Sequence, residues 1–267
     1  MDMAVAVAGA GAVAHHEGVG GRPDLTIVWL RDLSPADWLA ARLHTFCADT
    51  GSVIPAGFEA YARVFHPVEA GHLDDRRHRW GDIAHVNKRI VHPEMQFHMI
   101  SRPVGQPAPE GFNPGMGPSW GSLPTPERLA LVEVLRPATT MLDRCWFCLW
   151  EGRGGLDDQG VAERVRLPGR NYLFYAGRVE MALESPPGLE AWDQSPNLWW
   201  PDDRAWCVAT EVDYAWTYVG GTSQLIDRLL ADERLEALPA NLTDQPFYDS
   251  DLLNTALDTG SDQDQRA

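Results

Sequence analysis

Between residues 143 and 221 the chain is written as short aromatic and β-branched runs separated by turn residues: "DRCWFCLWEG" (143–152), "NYLFYAG" (171–177), "RAWCVATEVD" (204–213) and "WTYVGG" (216–221). Side chains on a strand alternate between two faces, so runs of this kind fold only by pairing into a sheet that buries at least one of them. Short strands with short connections favour antiparallel pairing. With helices packed on one side of that sheet, the expected architecture is α+β.

The helices are announced by their ends. "SPADWLAARLHTFCADTG" starts with Ser34 as N-cap and Pro35 behind it, puts Trp38, Leu39, Leu43 and Phe46 on one face, and stops at Gly51. "TPERLALVEVLRPAT" has Thr125 as cap, Pro126 as first helical residue and Pro137 as stop. "TSQLIDRLLADERLEAL" closes the domain with Leu225, Ile226, Leu229 and Leu230 on one face, and "WGDIAHVNKRI" reads as a short helix. "LTIVWL" (25–30) reads as a first buried strand, and "SVIPAGFEAYARVFHPVE" (52–69) as extended chain or a short helix closed by Pro67. Residues 1–23 read as a disordered leader, 24–240 as one domain with a Pro/Gly-rich surface loop at 101–125, and 241–267 as a loose acidic tail.

Charge narrows the partners. The 22 basic and 38 acidic residues leave a formal charge of −16, a field that repels phosphate backbones and anionic membranes. Neither nucleic acid nor membrane is an expected partner, and a basic protein is. No run of 18 apolar residues occurs. The leader opens on Asp2 rather than a basic segment, so a cytoplasmic location is expected. Four cysteines make no disulfide framework, and reduced thiols follow from that location.

Motifs for catalysis and cofactors fare poorly. Gly9, Gly11 and Ala14 form a G-x-G-x-x-A pattern, but the "HHEGVGGRPD" that follows cannot build the helix a dinucleotide site needs. Cys145 and Cys148 form a C-x-x-C pair on a predicted strand, where positions three apart face opposite ways, so the thiols should diverge. His66, His72, His78, His85, His92 and His98 recur without the spacing that places two ligands on one helix or strand face, although Asp74, Asp75 and Asp82 lie among them. No nucleophile elbow, zinc-protease motif or phosphate loop is present, and Lys88 is the sole lysine. No catalytic residue, metal or cofactor is assigned.

Residues 195–221, "SPNLWWPDDRAWCVATEVDYAWTYVGG", hold four of the eleven tryptophans. Pro196 and Pro201 bracket Trp199 and Trp200 and predict a loop free to meet a partner, with Asp202 and Asp203 capping its turn. Along the next strand Arg204, Trp206, Val208, Thr210 and Val212 share one face. Ala205, Cys207, Ala209, Glu211 and Asp213 share the other, which makes Glu211 and Asp213 neighbours. Trp206 and Trp216 read as core. The candidate recognition set is Trp199, Trp200, Asp202, Asp203, Arg204, Glu211 and Asp213.

This block, followed by "LIDRLL", resembles the "WPDDRAW-VATE-D---TYVGG" signature of an actinobacterial family of cytosolic proteins; "GFEAYARVFHP" and "CWFCLWEG" are similar to it as well, over most of residues 25–240. The resemblance carries over no catalytic residue. The pattern is more loosely similar to the Smi1-type immunity superfamily, α+β proteins that bind and neutralise toxins, which implies a binding role. The expected function is therefore a non-enzymatic cytoplasmic binding protein, immunity-like or regulatory, that recognises a basic protein. The alternative is a metal-dependent hydrolase using Glu211, Asp213 and some of the histidines.

Overall fold

The computed structural model describes residues 26–69, 77–106 and 117–260. Its strands are β1 (Ala60–Phe65), β2 (Val68–Glu69), β3 (Arg77–His78), β4 (Cys145–Trp150), β5 (Val165–Leu167), β6 (Arg170–Gly177), β7 (Leu198–Pro201), β8 (Cys207–Ala209), β9 (Trp216–Gly221) and β10 (Ala237–Ala240). All but β2 and β3, which pair with each other, join one antiparallel sheet in the order β10-β1-β9-β8-β7-β4-β6-β5. The helices are α1 (Asp37–Ala40), α2 (Trp80–Val86), α3 (Phe97–Ile100), α4 (Thr125–Leu135), α5 (Ser223–Leu230) and α6 (Leu252–Gly260). The fold is α+β, as expected.

Alternation along the strands divides the core in two. Cys145, Phe147 and Leu149 of β4 face Leu131 and Leu135 of α4 and Leu225, Ile226 and Leu229 of α5. Cys148, with Phe174 of β6 and Trp216 and Tyr218 of β9, faces Trp38 and Leu39 of α1, Trp80 and Ala84 of α2 and Ile100 of α3. Helices α4 and α5 thus share one face, and α1, α2 and α3 with their loops clothe the other, which the sequence pattern did not anticipate. The two thiols of the C-x-x-C pair point to opposite cores, as predicted. On the aromatic face the buried Arg63 lies with its guanidinium 3.7 Å from the Trp216 ring centre, and burial lowers its pKa to about 10.

Trp199 and Trp200 correct the sequence reading. They lie within β7, not in a loop, at 2 % and 1 % exposure. Phe147 is the cross-strand partner of Trp199 and Trp146 that of Trp200. Trp199 stacks on Phe147 at 6.3 Å on one face; Trp200 stacks on Phe174 at 6.0 Å on the other. The prolines mislead because proline is tolerated at the end of a strand, where Pro201 sits. Two prolines five residues apart can frame a strand as well as a loop.

Other elements contract or appear. Among the described residues of "LTIVWL" no strand is formed: Ile27 and Trp29 point inward, β5 already pairs with the start of β6, and Leu30 N–H bonds to Phe174 O at 2.7 Å. The helix expected from Ser34 to Gly51 ends at Ala40, and Ser34 lies in a 3₁₀ turn with its own N–H held by Asp32. Beyond it the chain is pulled away by distant partners: Thr50 N–H bonds to Asp244 O and Gly51 N–H to Leu242 O. Helix α4 begins at Thr125 with Pro124 as the cap residue, and α5 is capped by the Thr222 hydroxyl, which accepts from Leu225 N–H. The predicted closing helix stops at Leu230, and its last residues become edge strand β10, paired with β1.

The loose tail is also corrected. Residues 241–258 pack against the domain, with Asp251 and Asn254 buried and α6 formed. Within the Pro/Gly-rich stretch, Ser122 and Leu123 are interior, bonded to Asp193 O and Ser195 Oγ. Residues 1–23 lie outside the described residues. Among the described residues no helix is long and apolar enough to cross a membrane.

Candidate functional site

The antiparallel run β7–β8–β9 splits the predicted recognition set. Asp202, Asp203 and Arg204 fall in the turn between β7 and β8, while Glu211 and Asp213 fall in the turn at the opposite end of β8. Trp199 lies between them inside one core and Trp200 inside the other.

The first turn consumes its own charges. Asp202 accepts from Arg144 at 3.1 Å and from the Trp146 indole at 2.9 Å. Asp203 accepts from the Thr139 hydroxyl at 2.7 Å and caps the turn through Ala205 N–H at 3.1 Å, as expected for an aspartate in that place. Arg204 adopts a positive φ of 54° and lays its guanidinium 5.3 Å from the Trp38 ring.

The second turn does bring Glu211 and Asp213 together, through a partner the sequence did not reveal. Arg170, at the start of β6, donates to Glu211 from Nε at 3.0 Å and from Nη2 at 2.6 Å, and to Asp213 from Nη2 at 2.7 Å. The Phe46 and Trp150 rings each lie 5.3 Å from its guanidinium carbon. A cleft beside this cluster, bordered by Leu43, Phe46, Leu167, Tyr172 and Glu211, encloses about 10 Å³. That is room for roughly one enclosed water.

Among the described residues the histidines do not converge on one site. His66 is bonded to Ser119 O and Thr217, His92 to Asp251, His44 to Asp49 and His85 to Gly81 O, while His98 stacks on Tyr248. His72, Asp74 and Asp75 lie outside the described residues. Among the described residues no group of three or more His, Cys, Asp or Glu side chains could hold a metal.

Two tryptophans escaped the sequence reading. Trp192 is 68 % and Trp120 44 % exposed, whereas the other nine are buried or half-buried. Both belong to a knot of loops at the Glu211–Asp213 end. Gly121 N–H bonds to Tyr214 O at 2.8 Å, which ties the loop that carries Trp120 to the β8–β9 turn. Asp193, next to Trp192, accepts from the backbone and hydroxyl of Thr125 at 2.8 and 2.7 Å. The signal was present: "PSWGSLP" and "EAWDQSP" set each ring among turn residues without an alternating apolar run. The chain matches no family model, no curated protein and no solved structure.

Proposed function

We propose that this protein is a non-enzymatic binding protein that recognises a basic protein partner through the aromatic and acidic surface at the β8–β9 end. The observation that carries the reading is the pairing of exposed Trp120 and Trp192 with a turn whose Asp213 side chain is 74 % exposed. Exposed tryptophans are effective anchors at interfaces, and a carboxylate beside them supplies selectivity for a cation. Asp213 stays in the recognition set, Glu211 anchors the turn through Arg170, and Trp120 and Trp192 replace the interior Trp199 and Trp200. A cytoplasmic, immunity-like or regulatory role suits such a protein, and the −16 charge favours a basic partner over nucleic acid. The metal-dependent hydrolase draws no support from this geometry, because Arg170 already bridges the two carboxylates.

Affinity capture from native lysate followed by mass spectrometry tests the proposal. A basic protein should be retained by the wild type and lost by the Trp120→Ala/Trp192→Ala double variant at unchanged melting temperature. Identical capture by both proteins would refute it.

A further inference from the structure

Three hydrogen-bond donors meet at Trp38 without an acceptor. The guanidinium carbon of Arg42 lies 5.4 Å from the centre of its ring and that of Arg204 5.3 Å. Both arginines are exposed, and neither guanidinium joins an ion pair or hydrogen bond among the described residues. The third donor is the Trp38 indole N–H, which is buried and finds no partner there either. Carboxylates are at hand but do not serve. Asp37, next in sequence to Trp38, pairs with neither arginine, while Asp202 and Asp203 are committed to Arg144, Trp146 and Thr139.

The backbone fixes both arginines at this ring from segments far apart in the chain. Ala56 N–H bonds to Arg42 O at 2.8 Å, and Gly57, at a φ of +108°, leaves Arg42 Nη1 2.9 Å from the place a Cβ would take. Arg204 holds its positive φ of 54° with its N–H on Pro201 O at 2.8 Å. A left-handed backbone is uncommon outside glycine and carries strain. A ring attracts a cation, but a second guanidinium brought to the same ring is repelled by the first. An anion between the two turns that repulsion into attraction.

Charge and shape select the anion. The fork of a guanidinium matches the oxygens of a phosphate, which has enough of them for two forks and an indole N–H, whereas a carboxylate has two. The −16 of the whole chain acts against a polyanion, but at physiological salt a single small group responds mainly to charges within about 8 Å, and the two arginines are the uncommitted ones at this ring. We propose that Arg42, Arg204 and the Trp38 indole N–H form a binding site for a phosphate group, free or carried as a small monoester. The residues differ from Trp120 and Trp192, so either proposal can fail alone.

Isothermal titration calorimetry of the full chain with inorganic phosphate, and separately with phenyl phosphate, tests the site against sodium chloride at equal ionic strength. Saturable binding of one phosphate per chain is expected. Arg42→Gln and Arg204→Gln should each weaken it about tenfold or more, the scale of one lost charge-assisted contact. Arg204→Lys keeps the charge without the fork and should also bind more weakly. Arg166→Gln removes another exposed arginine that has no ion pair among the described residues, and should bind like the wild type. Melting temperatures check that each variant folds. Tighter binding of phenyl phosphate assigns the site to a monoester, and equal or weaker binding assigns it to free phosphate. Heats no different from those of chloride, wild-type affinity in Arg42→Gln, Arg204→Gln or Arg204→Lys, or an equal loss in Arg166→Gln would each overturn the proposal.

Discussion

His66 and Thr217 share a buried hydrogen bond of 2.9 Å whose direction is fixed by its surroundings. The Ser119 carbonyl lies 2.7 Å from His66 Nδ1 and can only accept, so Nδ1 carries the proton. Nε2 of the neutral ring must then accept from the Thr217 hydroxyl. Thr217 in turn accepts from Thr210, 2.7 Å away, and the three side chains form a one-way chain beneath the sheet. A second proton on the ring would reverse the chain, with Nε2 donating to Thr217 and Thr217 to Thr210, and would place a charge in the buried site.

Acid should therefore act through His66. Burial lowers its pKa from the ordinary histidine value of about 6.5 to about 4, so the unfolded chain takes up the proton first. The stabilisation is fully present above the unfolded value and is lost as pH falls through the window from 6.5 towards 4. Its size is about 3 kcal/mol at most. Denaturant titrations across that window should show a steeper loss for the wild type than for His66→Gln. Superimposable pH profiles would show that His66 does not carry this dependence.

The tryptophans separate by burial rather than by neighbouring prolines. Trp199→Ala or Trp200→Ala removes an interior ring and should cost about 3–5 kcal/mol, as Trp206→Ala should. Trp192→Ala should stay within about 0.5 kcal/mol of the wild type. Equilibrium unfolding of the four variants checks the division, and a mild Trp200→Ala would be inconsistent with its place in β7.

Gly121 should tolerate no side chain. Its φ is +69°, and a Cβ there would collide with the Val212 carbonyl and Arg153. The obstacle is largely backbone, so Gly121→Ala should cost more than about 1 kcal/mol and shift the emission of the adjacent Trp120. A variant as stable as the wild type would mean that the loop and the β8–β9 turn can part without loss.

Local pattern was enough to place β4, β6 and β9, to aim Cys145 and Cys148 at opposite faces, to put Trp206 and Trp216 in the core and to start α4 and α5 within a residue or two. Strand alternation and helix caps depend on neighbours a few residues away, and those are written in the chain. Tertiary structure alone decided that Trp199 faces Phe147, that Arg170 bridges Glu211 and Asp213, and that Asp251 and Asn254 turn inward while Leu252 and Leu253 turn out. Each of those outcomes depends on a partner 40 or more residues distant. A proline, a carboxylate or a leucine has no fixed side until that partner arrives, because the free energy that assigns it comes from the pairing and not from the residue.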